Sequence, residues 1–282
     1  MNKVKIIIDS TADLEPEYIK EHDITITPLT VNFNNNSYRD GIDIDVPALY
    51  KIVKETNTLP KTSAVSVSDL IETFKKYIDE GYDILYTGIS SKMSSSHNNA
   101  VLASKEFPEG RVFVYDSYNL STGIGLQVLK AVKLRDAGKS AAEIKEYLDS
   151  ITLKVRSQFL IEKLDFLYKG GRCSSLSYFF GRGFHIKPII SVRNGSMSIL
   201  KKPIGKTLNA CNALLDIVKA DLNNIDPDCI MITSSIAPES EKYLYEQLSK
   251  LVNPSQIMIT HAGCVISSHC GPGTIGILYI LK

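Results

Sequence analysis

The sequence predicts an α/β protein with two α/β domains: the first with a mostly parallel, Rossmann-like sheet, the second with a mixed sheet and helices. In the first half, short apolar runs alternate with helical segments, which is typical of a parallel sheet with right-handed crossovers. In the second half, Asn194-Gly195 lies between two apolar runs, a strong hairpin signal that requires antiparallel strands. We therefore expect domains at residues 1–155 and 156–282.

Apolar runs and turn residues predict the elements of the first half. The predicted strands cover residues 4–8, 24–33, 38–44, 83–89 and 111–115. A short helix is predicted to start near residue 15, and further helices are predicted over residues 45–55, 66–80, 97–105, 122–137 and 140–149. Ser140 and Glu143 form a capping box that opens the last of these helices. Residues 59–63 are expected to form a loop, which contains Thr62 and Ser63.

The second half continues with strands and two longer helices. The predicted strands cover residues 157–161, 188–192, 197–200, 228–233, 256–260 and 275–281. The predicted helices cover residues 207–222 and 238–251, with a helical turn at 164–168. Residues 267–273 are expected to form a loop, because Gly and Pro follow His269.

Composition and charge describe an ordinary globular chain. Of its 282 residues, 44% are hydrophobic and 22% charged, and no apolar segment is long enough to span a bilayer. No signal-type apolar region develops before Asp9, and the five cysteines lack a disulfide-framework spacing, so we expect a cytoplasmic protein. A net charge of +1 gives no general case for nucleic-acid binding.

Polar residues follow three of the predicted parallel strands, at Asp9-Ser10-Thr11, at Ser94-Ser95-Ser96 and at Asp116-Ser117. The carboxyl ends of parallel strands meet at one sheet edge, where ligands bind. Hydroxyls at a helix N-terminus suit an anionic oxygen, although ordinary N-capping needs only one of the three serines. We therefore treat Ser94, Ser95 and Ser96 as candidate binding residues.

A basic segment, residues 169–206, is called here the acid-free stretch because no Asp or Glu occurs between Asp165 and Asp216. Without its basic residues the chain is acidic. Two hypotheses remain open for it: an anion site headed by Gly170-Gly171, and a solvated surface. Its basic residues are Lys169, Arg172, Arg182, Lys187, Arg193, Lys201, Lys202 and Lys206.

His269 is a candidate functional residue, because the following Gly and Pro residues would hold it in an exposed loop. A zinc site with His261, Cys264 and Cys270 is disfavoured, since the spacing matches no usual ligand pattern, and we expect no metal. A hydrolase could combine Ser94, His269 and Asp116, but the Gly-x-Ser-x-Gly turn is absent. The sequence also lacks a P-loop motif for ATP.

Seven motifs occur together in one order along the chain. They are Ile8-Asp-Ser-Thr-Ala-Asp-Leu14, Thr62-Ser63 with Ser66, Ile89-Ser-Ser-Lys-Met-Ser94, Asp116-Ser117, Leu167-Tyr-Lys-Gly-Gly-Arg172, Lys187-Pro-Ile-Ile190 with Gly195, and His269-Cys-Gly-Pro-Gly273. In this order and over nearly the whole length, the chain resembles the DegV family of bacterial fatty-acid-binding proteins, the FakB subunits of fatty acid kinase.

The resemblance implies a fatty acid in an apolar tunnel between the two domains. It implies that Thr62 and Ser94 bind the carboxylate, with Ser95 and Ser96 in the same loop and His269 beside it. Arg172 would serve phosphoryl transfer or engagement of the kinase. The resemblance implies a lipid-binding carrier rather than an enzyme. A separate ATP-dependent kinase subunit would make the acyl phosphate for phospholipid synthesis. No cofactor is implied, and transient membrane contact is expected.

One departure from the family pattern follows Ser94. The family usually has Gly-Thr-Tyr at this point, whereas this chain has Ser95-Ser96-His97. Ser96 can supply the hydroxyl of the usual threonine. Ser95 would strain the loop if its position required a positive φ. The alternatives to a carrier are an acyl hydrolase using Ser94 and His269, and a DNA-associated protein using the acid-free stretch.

Overall fold

The computed structural model describes residues 2–34, 36–173 and 186–282. The strands of these residues form three sheets. The strands are β1 Val4–Asp9, β2 Thr25–Thr27, β3 Thr30–Phe33, β4 Asn36–Arg39, β5 Lys61–Ser63, β6 Asp83–Gly88, β7 Val112–Asp116, β8 Val155–Leu160, β9 Ile189–Arg193, β10 Ser196–Lys201, β11 Ile225–Ser235, β12 Ile257–His261 and β13 Thr274–Leu281.

Helices cover the sheets. They are α1 Pro16–Glu21, α2 Val46–Thr56, α3 Val67–Asp79, α4 Ser96–Ser104, α5 Thr122–Asp136, α6 Ala141–Ile151, α7 Leu164–Gly170, α8 Thr207–Asp221, α9 Pro238–Leu248 and α10 Cys264–Cys270. The capping box predicted at Ser140 and Glu143 opens α6 and is confirmed. Within the described ranges, no helix combines the length and apolarity that crossing a membrane requires.

The first sheet is parallel, in the order β2-β1-β6-β7, which confirms the predicted architecture of the first half. All six residues of β1 are buried, as expected for a parallel strand with both faces covered. The three polar strand ends meet as predicted: Asp9 accepts a hydrogen bond from the Ile89 amide, and Asp116 accepts one from the Ser91 amide.

The second sheet is mixed, in the order β10-β9-β8-β13-β11-β12. The hairpin predicted at Asn194-Gly195 joins β9 to β10 and is confirmed; both turn residues have positive φ. Neighbouring strands are antiparallel except for β11 and β12, which are parallel. The expected mixed sheet of the second half is therefore present.

A third, antiparallel sheet, β4-β3-β5, was not expected. The prediction of one strand over residues 24–33 is wrong, because the chain leaves the parallel sheet at Pro28, which has no N–H to donate, and enters the third sheet at Thr30. The prediction of a loop over 59–63 is wrong for residues 61–63, which form β5, where Thr62 lies opposite Val31. The backbone of Thr62 is therefore held in place by the pairing of β5 with β3.

The predicted loop over residues 267–273 is wrong in its first half, where the chain forms α10. This helix begins after Gly263 and ends before Gly271, whose φ is +75°. Its N-cap residue supplies no side-chain hydrogen bond. The first amides of the helix donate hydrogen bonds to the carboxylates of Asp13 and Asp40, which are distant in sequence. No local sequence pattern therefore predicts the helix.

Helix α5 lies between the two larger sheets. It contacts β1 of the parallel sheet and β8, β11 and β13 of the mixed sheet. One apolar cluster includes Ile8 and Leu85 from the first sheet together with Val192 and Leu278 from the second. The larger sheets therefore share a core. The domain boundary near residue 155 stays a prediction.

We predict that Leu49→Ala destabilises the protein by about 2–5 kcal/mol, because truncating a buried leucine loses transfer free energy and leaves a cavity. Leu49 is fully buried on α2, in a cluster with Val31 of β3 and Val265 of α10. Urea unfolding measures the change. Leu153→Ala is the control, since Leu153 is 63% exposed. An equal loss of unfolding free energy in this variant would contradict the conclusion that Leu49 stabilises the fold through its burial.

Candidate functional site

A cavity of ≈ 370 Å³ is lined by residues of the mixed sheet, the small antiparallel sheet, α7 and α10, and by the loops that follow β6 and β7 of the parallel sheet. Most of the surface that its lining residues expose to the cavity is apolar. The larger apolar lining residues are Leu29, Ile89, Met93, Leu120, Phe159, Leu167, Met197, Val265, Ile266 and Leu278. Such a lining suits an alkyl chain rather than a polar metabolite.

Five of the six candidate residues from the sequence line this cavity: Thr62, Ser94, Ser95, Arg172 and His269. They come from β5, from the loop after β6, from the segment after α7 and from α10. Thr62 Oγ1 lies 2.8 Å from His269 Nε2, which joins residues far apart in sequence. The structure therefore collects hydroxyl groups, an imidazole and a guanidinium at one apolar cavity.

The loop Ser94-Ser95-Ser96 presents two of its three serines, Ser94 and Ser95, to the cavity. Ser96 is buried and is absent from the described lining; its Oγ lies 3.1 Å from Ser94 Oγ, and its amide donates to the same oxygen at 3.2 Å. Ser95 is exposed with φ −77°, so a serine fits this position without strain. Ser96 thus orients Ser94, and the departure from Gly-Thr-Tyr leaves the backbone relaxed.

His269 lies in the last turn of α10 and is largely buried, so the expectation of an exposed loop histidine is wrong. Burial, and secondarily the nearby Arg172 charge, lower the pKa of His269 to about 4, which leaves the ring neutral at pH 7. Within the described residues its Nδ1 has no hydrogen-bond partner. A Cβ on Gly170 would lie 2.4 Å from that nitrogen, so only glycine permits the approach of α7.

Arg172 is exposed and donates to two backbone carbonyls, from Nη1 to Gly170 at 2.7 Å and from Nε to Met93 at 3.4 Å. Among the residues that the structure describes, no carboxylate pairs with it. Its charge is therefore available to an anion at the cavity. Carbonyl acceptors also hold the guanidinium in place without neutralising it.

Other hydroxyl side chains line the cavity, but their oxygens are paired within the protein. The pairs are Ser121 with Asp13 (2.5 Å), Thr233 with Thr260 (2.8 Å), Ser234 with Glu241 (2.7 Å), Ser235 with Ser267 (2.8 Å) and Thr274 with the Cys270 carbonyl (2.8 Å). Ser121, Ser234 and Thr274 donate their only hydroxyl proton to a protein oxygen, so they have none left for an anionic ligand. These positions therefore add to the apolar character of the lining.

The hydrolase arrangement is not formed by the described contacts. Asp116 Oδ1 accepts hydrogen bonds from the Ser91 and Tyr118 amides, whereas His269 is hydrogen-bonded to Thr62. Ser94 contacts Ser96. A catalytic triad requires a nucleophile hydrogen-bonded to a base, and the base hydrogen-bonded to a carboxylate. The described residues do not form these two contacts.

No group of three or more His, Cys, Asp and Glu side chains is arranged to hold a metal ion in the described part of the chain. Cys264 Sγ lies 3.4 Å from the Ile44 carbonyl, and Cys270 Sγ lies 3.7 Å from that of Gly271. Burial raises the pKa of both thiols to about 12, so they stay protonated at neutral pH.

Among its described residues, the acid-free stretch contributes Arg172 as its only basic side chain in the cavity. Lys187 forms an ion pair with Glu162. Arg193, Lys201 and Lys206 are exposed. Arg182 lies outside the described residues.

Comparison with known proteins decides the family. A family model described as "Uncharacterised protein, DegV family" matches residues 3–282. The chain belongs to the DegV family. A DegV domain-containing protein of Clostridium acetobutylicum is 37% identical, with all of both chains covered. The family resemblance seen in the seven motifs is thereby confirmed.

Two solved structures share the fold of this DegV family protein. One is a DegV family protein from Thermus thermophilus described as fatty-acid-binding, with a TM-score of 0.92, 28% identity and complete coverage of both chains. The other is a stearic-acid-binding protein from Eubacterium ventriosum, with a TM-score of 0.88, 27% identity and coverage of 100% of this chain and 99% of its own. Fatty-acid binding is therefore described for structures of this fold.

Sequence reasoning missed most of the cavity lining and the role of Gly170 beside His269. The lining is spread over many elements, so no spacing in the chain reveals it. The motif Asp9-Ser-Thr-Ala-Asp13 did carry a signal for these distant contacts. Its two acids follow a buried strand, and acids in a core are unusual and need hydrogen-bond partners.

We predict that wild-type protein loses stability relative to His269→Gln as the pH falls from 7.5 to 4.5. The pKa of His269 falls from an ordinary 6.5 to about 4 on folding, so in this window the unfolded chain binds a proton that the folded chain does not. The difference in unfolding free energy should change by roughly 2–3 kcal/mol. Urea unfolding of both proteins across pH measures it, and a constant difference would refute a neutral buried ring.

Proposed function

We propose that this DegV family protein binds a long-chain fatty acid in the cavity and holds its carboxylate at Thr62, Ser94 and His269. One observation carries the proposal: a single cavity joins an extended apolar lining to a small cluster of polar side chains. A fatty acid has the same division, with one anionic end and a long alkyl chain.

The apolar lining supplies the affinity. Each methylene transferred from water gains roughly 0.8 kcal/mol, so a chain of more than ten carbons needs few polar contacts. The hydroxyls of Thr233 and Ser235 are already paired within the protein, and so they do not disfavour an alkyl chain beside them. The proposed ligand is therefore apolar beyond its head group.

The polar cluster supplies partners that a carboxylate needs when it leaves water. Thr62 and Ser94 carry hydroxyl donors, Ser95 is exposed in the same loop, and Arg172 brings a positive charge. His269 is neutral at pH 7 and adds no second charge; with its proton on Nε2 it donates to Thr62 Oγ1, which leaves the Thr62 hydroxyl proton for the carboxylate. Hydroxyl donors leave the carboxylate oxygen nucleophilic. The solved Thermus thermophilus and Eubacterium ventriosum structures support a fatty acid as the ligand.

We further propose that the bound acid is presented to a separate ATP-dependent fatty acid kinase subunit. A carboxylate oxygen would attack the γ-phosphorus of ATP, the bond to ADP would break, and an acyl phosphate would form for phospholipid synthesis. The chain has no P-loop, so ATP would come with the partner. Exposed Arg193, Lys201 and Lys206 offer a surface for an acidic partner or for nucleotide phosphates.

The proposed carrier role would place this protein in the cytoplasm, where ATP is available, with transient contact at the membrane from which fatty acids are taken. The protein would then act as a lipid carrier rather than as an autonomous enzyme. The exposed position of Arg172 at the cavity supports access by a partner.

We predict that Thr62→Val and Ser94→Ala each weaken oleate binding by about 10- to 100-fold, because each removes a hydrogen bond to a charged group. Displacement of a fluorescent fatty acid measures the dissociation constant, and native mass spectrometry detects the acid that co-purifies. Ser91→Ala is the control, since Ser91 lies in the same loop and is not part of the described lining.

A wild-type protein that neither carries nor takes up oleate or palmitate would contradict the proposal. Turnover of a nitrophenyl ester that Ser94→Ala abolishes would instead favour the acyl hydrolase. Salt-dependent retention on DNA would favour the third hypothesis.

We predict that Arg172→Ala changes oleate affinity less than fivefold but lowers phosphorylation by the kinase subunit at least tenfold. Arg172 is exposed, so screening by water makes its contribution to binding small, whereas a charge near the transferred phosphoryl group matters in the transition state. Acyl phosphate formation with purified kinase measures the second effect. Lys169→Ala serves as the neighbouring control, and equal losses of binding and phosphorylation would make Arg172 a carboxylate ligand instead.

A further inference from the structure

The motif Asp9-Ser-Thr-Ala-Asp13 places two carboxylates in the interior, and Asp40 joins them there. The three side chains are at most 7% exposed, and none of them forms a salt bridge within the described residues. Burial raises the pKa of each of the three carboxyl groups. Buried acids without a cation are costly, so their hydrogen-bond partners show what they do for the fold.

Two of these carboxylates hold the start of α10. Asp13 Oδ1 accepts from the Gly263 amide at 2.8 Å, and Asp40 Oδ1 accepts from the Cys264 amide at 2.8 Å. The partners are 250 and 224 residues apart in sequence. A Cβ on Gly263 would lie 3.2 Å from Asp13 and 3.3 Å from Asp40, so glycine leaves room for both.

The remaining carboxylate oxygens hold other segments of the cavity wall. Asp13 Oδ2 accepts from Ser121 Oγ at 2.5 Å, and Asp9 Oδ2 accepts from the Ile89 amide at 2.9 Å. Both donors belong to lining residues. Asp40 Oδ2 accepts from Ser10 Oγ, which in turn accepts from the amide of Leu29, another lining residue, at 3.1 Å. Each acid therefore connects to a segment of the binding cavity.

The geometry links this cluster to the head-group residues. Helix α10 is seven residues long, and His269 is five residues after Cys264, so about 7.5 Å along the axis separates the held end from the imidazole. Backbone hydrogen bonds connect the start of the helix to its end, from the Ser267 amide to the Gly263 carbonyl and from the Gly271 amide to the Ser267 carbonyl, both 2.9 Å. A shift of its first turn is therefore carried to the ring that contacts Thr62.

We infer that Asp13 and Asp40 are positioning residues of the site: by accepting from the first amides of α10, they set the contact between His269 and Thr62. The inference rests on the proposed function for its effect on fatty-acid binding, and on geometry alone for its effect on His269. It assigns a role to acids that do not line the cavity.

The test compares Asp40→Ala with the conservative variant Asp40→Asn, whose side-chain oxygen can still accept from Cys264. Nuclear magnetic resonance of histidine-labelled protein, with His269→Gln for assignment, follows the pKa of the ring. Thr62 and Arg172 face that ring from β5 and from the segment after α7. Hydrogen exchange follows the amides of residues 263–265.

In Asp40→Ala we expect the pKa of His269 to rise by about one unit or more from about 4, because a released ring gains water. Loss of a negative charge by itself would lower that pKa, so the sign separates release from electrostatics. The Gly263 and Cys264 amides should exchange at least tenfold faster, and oleate should bind about tenfold more weakly. Asp40→Asn should restore all three towards wild type.

Ser140→Ala is the control for general destabilisation, since it removes the capping box of α6 and touches neither α10 nor the cavity. A pKa and exchange rates in Asp40→Ala that match wild type, or changes of equal size in Ser140→Ala, would overturn the inference. If Asp40→Ala does not fold, Asp13→Gly and Asp13→Asn make the same comparison, because both residues accept the φ of +51° at this position.

Failure of the inference and failure of the proposed function remain distinguishable. Wild-type protein that does not bind oleate would overturn the proposed function, while the His269 pKa and the amide exchange would still decide the role of Asp13 and Asp40. Normal oleate binding with an unmoved ring in Asp40→Ala would overturn the inference alone.

Discussion

The cavity depends on how the interior satisfies the first amides of α10. This helix has no side-chain cap of its own, and its start is buried. Buried amides without acceptors would cost more than a short helix gains, so its formation requires carboxylates from elsewhere in the chain. Asp13 and Asp40 supply them from the first half. The same contacts bring His269 to Thr62, which lies on a strand of the small sheet.

The lining shows how hydrogen bonding can make a polar sequence behave as an apolar surface. Thr233, Ser234 and Ser235 are consecutive hydroxyl residues at the end of β11, and each hydroxyl is bonded to another protein group. In contrast, Arg172 donates to backbone carbonyls and pairs with no carboxylate among the described residues. Hydrogen bonds within the protein thus decide which polar groups a ligand can use.

The electrostatics at the polar end are asymmetric. Burial and the Arg172 charge keep His269 neutral, so the nearby positive charge belongs to an exposed guanidinium. A buried cation would bind a carboxylate tightly but would also lower its nucleophilicity. A neutral imidazole with a hydroxyl and an outer guanidinium is suited to binding an anion without a buried ion pair.

Local patterns in the sequence determined much of this protein. Apolar runs set β1 and β6 in a parallel sheet, Asn194-Gly195 set the hairpin, and strand ends set the edge where Ser94 lies. Tertiary structure alone decided the third sheet, α10 and the lining of the cavity. The physical reason is that these features depend on hydrogen-bond partners and packing from distant segments, such as the acceptors 250 and 224 residues from the start of α10, which no periodicity records.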